Sequence, residues 1–189
     1  MRPATQHFRP SLLALENRTC PAASAIIAGH ALYISTDPGS DAVLIRNDGR
    51  NHVTAIVRGP DGVEYAQGAG IDQIFVHLRG THDQLDYVLS GPPQNRFSVV
   101  VDAGQGGANQ MRFELPPDAG TVRGAIDLRG NAGQGGADVW LGRGGLGGVT
   151  VTDRMSGGTV RIHEPRVAPI APPEFRPLGS LADVDRHFR

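Results

Sequence analysis

Ala103-Gly104-Gln105-Gly106-Gly107-Ala108-Asn109 and Ala132-Gly133-Gln134-Gly135-Gly136-Ala137-Asp138 decide how this chain is read. The same six letters, AGQGGA, occur twice, each time after an alternating apolar run and before Asn or Asp. Glycine tolerates the positive backbone angles that a tight corner imposes. Asn and Asp close such corners by bonding their own backbone. A repeated corner implies a repeated structural unit.

Around these corners the apolar residues alternate. Val43 and Ile45 interleave with Leu44 and Arg46, and Val53, Ala55 and Val57 with Thr54, Ile56 and Arg58. A period of two is the strand signal. No stretch of the core carries a 3.6-residue apolar period. Asp37-Pro38-Gly39, Asn47-Asp48-Gly49 and Pro60-Asp61-Gly62 read as turns, and Asn47-Asp48-Gly49 as the turn of a hairpin. From Ile71 two strand families interleave: Ile74–Leu78, Phe97–Asp102, Gly124–Arg129 and Gly148–Thr152, then Leu85–Leu89, Met111–Leu115, Val139–Leu141 and Thr159–Ile162.

Two strands in each unit of about 25 residues predict an all-β chain folded as a parallel β-helix-like solenoid. An antiparallel β-sandwich is the alternative. The expected organisation is a leader-like, disordered segment over 1–24, a β-repeat domain over 25–163, and a Pro-rich disordered tail over 164–189. Within the tail, Leu178–Phe188 has the pattern of a short helix, and Pro169-Ile170-Ala171-Pro172 has the form PxxP.

Composition narrows the function. The formal charge is −1, and all 18 basic residues are Arg. No global field recruits nucleic acid or an anionic membrane. Aromatic residues are too few for a base-stacking platform. One cysteine, Cys20, excludes an intramolecular disulfide and a Cys-rich metal site. No apolar run reaches the ~18 residues of a membrane span. Ser11–Leu15 is too short for the apolar centre of an ordinary secretory leader before Glu16 interrupts it.

Arg9-Pro10-Ser11-Leu12-Leu13-Ala14-Leu15-Glu16-Asn17-Arg18, followed by Pro21-Ala22, resembles the RPxLexLEdRxxPA leader of planctomycete-type exported β-repeat proteins, with Asn17 where Asp is usual. Leu44–Gly49, Leu89–Pro92 and Val99–Gly104 resemble the repeat region of the same group. The resemblance implies export to the extracellular space or cell surface. In that group it implies an exported β-repeat protein with no assigned activity; the expected function is a non-catalytic structural or interaction module, with other surface proteins or polysaccharide as partners.

One metal site is a candidate. Asp41, Asp83, Asn109 and Asp138 each stand two residues before an apolar position, Val43, Leu85, Met111 and Trp140. The arrangement resembles a degraded calcium-binding nonapeptide (an RTX-like repeat), whose stacked turns present oxygens to Ca²⁺. Calcium is the sole candidate cofactor. The competing reading is an Asp or Asn that bonds its own turn.

A carbohydrate-active β-helix enzyme is the other alternative. It would use His77, Asp102 and Asp127 on an outer face. His82-Asp83 reads as an ordinary turn. No GxSxG, HExxH or Cys–His pattern is present, so no catalytic residue is assigned and the chain is read as non-enzymatic. Gly142–Gly147 satisfies GxGxxG, but a strand follows it, which removes the helix N-terminus a phosphate needs.

Overall fold

The computed structural model describes residues 23–91, 96–105, 107–116, 123–141 and 148–164. The leader, Cys20, the GxGxxG motif and the tail motifs lie outside them. Eleven strands form: β1 (Ser24–Ala28), β2 (Ala31–Ser35), β3 (Ala42–Asn47), β4 (Val53–Gly59), β5 (Gly62–Gly68), β6 (Gln73–His77), β7 (Gln84–Leu89), β8 (Phe97–Gln105), β9 (Gln110–Glu114), β10 (Arg123–Trp140) and β11 (Gly148–His163). The alternation read from the sequence is the burial pattern of these strands. Val43, Ile45, Val53, Ala55 and Val57 are buried, while their neighbours face outward.

All eleven strands belong to one mixed sheet in the order β1-β2-β6-β8-β10-β9-β7-β3-β4-β5, with β11 alongside β10. Seven pairings are parallel and three antiparallel. The two ends of the path meet, because β1 lies against β5 and β4. On the other side, β10 runs from one half of the sheet into the other. The result is a single, nearly closed, mixed β-barrel around one core.

This corrects the open parallel solenoid. Parallel registers do link β2, β6, β8, β10 and β11, with Ile74 beside Val99 and Val99 beside Ile126. But β1–β2, β3–β4 and β4–β5 are antiparallel, so the two-strand unit does not describe residues 24–68. Those antiparallel strands let the two halves meet instead of leaving an open edge. An all-antiparallel sandwich is excluded by the seven parallel ladders. The hairpin at Asn47-Asp48-Gly49 forms, and Asn47 Oδ1 accepts the Gly49 N–H at 2.9 Å.

The second correction concerns continuity. Gly124–Arg129 and Val139–Leu141 were expected as separate strands, as were Gly148–Thr152 and Thr159–Ile162. Each pair belongs to one long strand apart from Leu141, which follows β10. Register shifts near Gly133 take up the bend in the β10–β11 ladder. The corner also shows that the two AGQGGA copies do not stack on each other. The motif recurs after 29 residues, yet Gln105 pairs with Asn131, 26 residues on. Gly133 therefore lies over Gly107, not Gly104, with φ of 59°, and a Cβ there would run into the Gly107 carbonyl oxygen.

The core is aliphatic, with an aromatic centre at Tyr87, Phe97 and Phe113. The Tyr87 ring lies 6.2 Å from Phe97 and 6.1 Å from Phe113. Such contacts add about 0.5–1.5 kcal/mol each beyond area burial. The one polar atom of that centre, Tyr87 Oη, accepts from Asn47 Nδ2 at 3.3 Å. Burial pushes the phenol well above its ordinary range.

Candidate functional site

Strand register determines which polar residues meet at the corners. Ala42, Gln84, Gln110 and Gly136 are successive partners, so Asp41, Asp83 and Asn109 fall in one row. All three are buried. Their side chains join one turn to the next. The Asp41 N–H donates to Asp83 Oδ1 at 2.9 Å, and the Asp83 N–H donates to Asn109 Oδ1 at 2.8 Å. Asp83 Oδ2 also accepts from Thr36 Oγ1 at 2.7 Å and from the Gly80 N–H at 2.9 Å. Asn109 Nδ2 donates to the carbonyls of Ala103 at 2.9 Å and Gly80 at 3.1 Å. Short Asp and Asn side chains reach such backbone groups without leaving the turn.

The fourth candidate is not in this row. The next position is Gly135, where a Cβ would strike the Asn109 carbonyl. Asp138 lies on the outward face beside Arg112, with Oδ1 2.7 Å from His163 Nε2. Asp138 is out of step because the apolar residue two positions on faces solvent. Trp140 is 43% exposed and points outward, whereas the inward residue of that turn is Ala137.

The calcium reading is corrected on chemistry as well as alignment. Ca²⁺ requires roughly six to eight converging oxygens. Here both carboxylate oxygens of Asp83 and the amide oxygen of Asn109 already accept hydrogen bonds. Among the described residues, no group of three or more His, Cys, Asp or Glu side chains is placed to hold a metal. Asp41 differs from its neighbours. Its Oδ2 accepts the Asp37 N–H at 2.7 Å, while its buried Oδ1 has no partner among the described residues. Burial, joined by the charges of Asp37, Asp83 and Asp61, raises its pKa against the lowering effect of that N–H.

The outer face of the β2–β6–β8–β10 half carries two parallel rows. One runs Ile26, Tyr33, Phe75, Val100, Asp127, and the next runs Ser35, His77, Asp102, Arg129, Arg154. Tyr33 and Phe75 stack at 5.1 Å with an 11° interplanar angle, and Ile26 and Tyr33 are exposed. His77 Nε2 lies 3.8 Å from Asp102 Oδ2. Ile26, Tyr33, Phe75, His77 and Asp102, with Ser24 and Arg79, line a surface cavity of about 300 Å³.

The expected trio of His77, Asp102 and Asp127 is therefore only partly assembled. Register sets Arg129, not Asp127, beside Asp102. Asp127 accepts from Arg129 Nε at 2.9 Å, and Arg154 Nε lies 3.8 Å away. That pairing raises the Arg129 guanidinium pKa further. Asp102 and Asp127 are thus diagonal neighbours on this face, with Asp127 held by Arg129, the register partner of Asp102. His82 sits in an exposed turn with Nδ1 3.0 Å from Thr81 Oγ1.

A cluster on the opposite half escaped the sequence reading. Trp140 stacks on His163 at 4.1 Å, and the Arg112 guanidinium lies 5.7 Å from the indole centroid. Arg112 also pairs with Glu114 at 2.9 Å. Trp140 and His163 are 23 residues apart with no motif joining them, so only the β10–β11 register reveals the contact.

No family model, no curated protein and no solved structure matches this chain. The resemblance to exported β-repeat proteins is thus corrected by the nearly closed mixed barrel. The repeat-module and calcium-repeat readings rested on that repeat, and the carbohydrate-enzyme reading on an open β-helix, neither of which forms.

Proposed function

We propose that this domain is a binding module without catalytic chemistry, and that its ligand is a polysaccharide held along the Tyr33–Phe75 face. The observation that carries this reading is the pairing of an apolar outward row, Ile26-Tyr33-Phe75-Val100, with a polar row, Ser35-His77-Asp102-Arg129. An exposed apolar patch rimmed by polar groups marks an interaction surface. Both rows advance by one strand spacing, about 4.8 Å, at each step. That step is close to the length of one sugar ring along a chain. Each sugar would set its C–H face on the apolar row and its hydroxyls against imidazole, carboxylate and guanidinium groups, which supply both donors and acceptors.

Affinity electrophoresis in gels containing a panel of neutral and acidic polysaccharides tests the reading. Wild type is expected to be retarded by at least one polymer, and Tyr33→Ala and Phe75→Ala to migrate freely. No retardation by any polymer, or equal retardation of the variants, refutes it. Capture of a protein partner that depends on Tyr33 would transfer the same face to protein recognition.

A further inference from the structure

The part of β10 that pairs with β9 rather than β8 carries a polar group on its outward face. Register aligns Gln110, Gly136 and Thr159 in one row across β9, β10 and β11, and Arg112, Asp138 and Arg161 in the next. Gly136 has no side chain, which leaves a gap between Gln110 and Thr159. The gap belongs to a surface cavity of about 240 Å³ whose polar walls are Gln110, Gln134, Asp138, Thr159 and Arg161. Two charges of opposite sign line it from neighbouring strands, yet they do not pair. Among the described residues no carboxylate lies within 4.0 Å of the Arg161 guanidinium. Asp138 turns Oδ1 instead to His163 Nε2 at 2.7 Å. Arg112, on the other flank, is held by Glu114 at 2.9 Å and lies over the Trp140 ring, 5.7 Å from its centroid. It does not line the cavity.

A simple anion in this cavity would meet Arg161 but set its charge beside Asp138, and a simple cation would do the reverse. A ligand carrying both signs satisfies both residues. Strand partners stand about 4.8 Å apart, so two charged groups on a single carbon reach both. A guanidinium donates two parallel bonds to a carboxylate. The second oxygen of Asp138 and the amide oxygens of Gln110 and Gln134 accept from an ammonium. The volume lies below that of a drug-sized pocket, which suits a small molecule. Amide and hydroxyl walls offer no cover to an apolar side chain. We infer that the cavity binds a free polar α-amino acid, its carboxylate on Arg161, its ammonium on Asp138 and its side chain against Gln110, Gln134 and Thr159. This second binding activity shares no residue with the Tyr33–Phe75 face and does not depend on a polysaccharide ligand there.

Side-chain NMR of the full-length protein tests this, following the Arg161 Nε–H and the Gln110 and Gln134 amides. Serine, threonine, asparagine and glutamine are the probes. Each is titrated beside its N-acetyl form, which lacks the cation, and its α-amide, which lacks the anion. At least one free amino acid is expected to shift all three side chains at millimolar concentration, with both blocked forms binding at least about tenfold more weakly. Arg161→Gln and Asp138→Asn, read at the two glutamine amides, should each weaken binding by a similar factor. Both positions face outward, so the backbone spectrum of either variant should match wild type. Arg46→Gln, the same charge change on the outward face of β3, should leave binding unchanged. No response to any of the four amino acids overturns the inference. So does an N-acetyl or α-amide form that binds as tightly as the free amino acid, which would leave a site for a single charge.

Discussion

Replacing Asn109 by Asp is the sharpest test of the turn row. Asn109 is fully buried, accepts one backbone N–H and donates to two backbone carbonyls. A carboxylate keeps the first bond but turns its second oxygen toward the Ala103 and Gly80 carbonyls, with no donor to offer them. Leaving two buried acceptors unmet costs about 1–3 kcal/mol each, with an uncompensated buried charge besides. At pH 7 the loss should be roughly 4–6 kcal/mol, a large part of a typical domain's stability. The variant's pH dependence follows from the sign of the shift. An Asp at this position is held neutral by burial, so its folded pKa lies above the unfolded value of about 3.9. Stability relative to wild type is therefore best below that value and declines as pH rises through the raised pKa. A loss of 3–4 kcal/mol to ionisation corresponds to a rise of roughly 2–3 units. Protonated, the side chain can donate to one carbonyl again, which should bring the variant within about 1–2 kcal/mol of wild type. Urea unfolding of both proteins between pH 3.5 and 7.5 supplies the comparison. Asn109→Ala should be destabilised by about 3–5 kcal/mol without that pH dependence. The reasoning fails if Asn109→Asp stays within about 0.5 kcal/mol of wild type at pH 7, or if the two variants share one pH profile.

Asp41→Asn should hold or raise the melting temperature at pH 7. The raised pKa of Asp41 makes its contribution greatest below 3.8 and progressively lost above it, so thermal melts should show the wild-type advantage of lowering pH toward 4 diminished in the variant. Gly133→Ala places a Cβ at a φ of 59° against the Gly107 carbonyl and should cost at least about 1–2 kcal/mol, read from denaturant midpoints. A neutral effect would mean that the corner relaxes freely. Tyr87→Phe deprives Asn47 Nδ2 of its acceptor and should cost about 1 kcal/mol by urea unfolding, with the aromatic packing retained. A loss beyond about 3 kcal/mol would show that the hydroxyl holds more than that bond.

Much of the local structure was legible in the sequence. Alternation identified the inward residues of β3 and β4, because a half-buried strand sorts its side chains with a period of two whatever lies beside it. Asn47-Asp48-Gly49 marked its hairpin because turn chemistry is local. The row Asp41, Asp83, Asn109 was also visible, since each residue stands two before the inward apolar residue of its strand. Asp138 was misplaced because Trp140, an outward aromatic, was counted as the inward residue. The Tyr33–Phe75 stack and the Trp140–His163 contact left no pattern, because a cross-strand pair depends on register between distant segments.

The chain by itself determined that it would be all-β, which residues of β3 and β4 would alternate, and that its glycine corners at Asp83 and Asn109 would be closed by Asp and Asn. Only the tertiary structure decided which strands are antiparallel, that the sheet closes on itself through β1 and β5, and that β10 crosses the corner unbroken. The physical reason is that alternation looks the same for parallel and antiparallel neighbours. A corner can also absorb residues, so identical motifs can sit out of step. Here the repeated AGQGGA letters recur after 29 residues while the paired backbones recur after 26, and hydrogen-bond register, not sequence identity, placed Gly135 where Asp138 was expected.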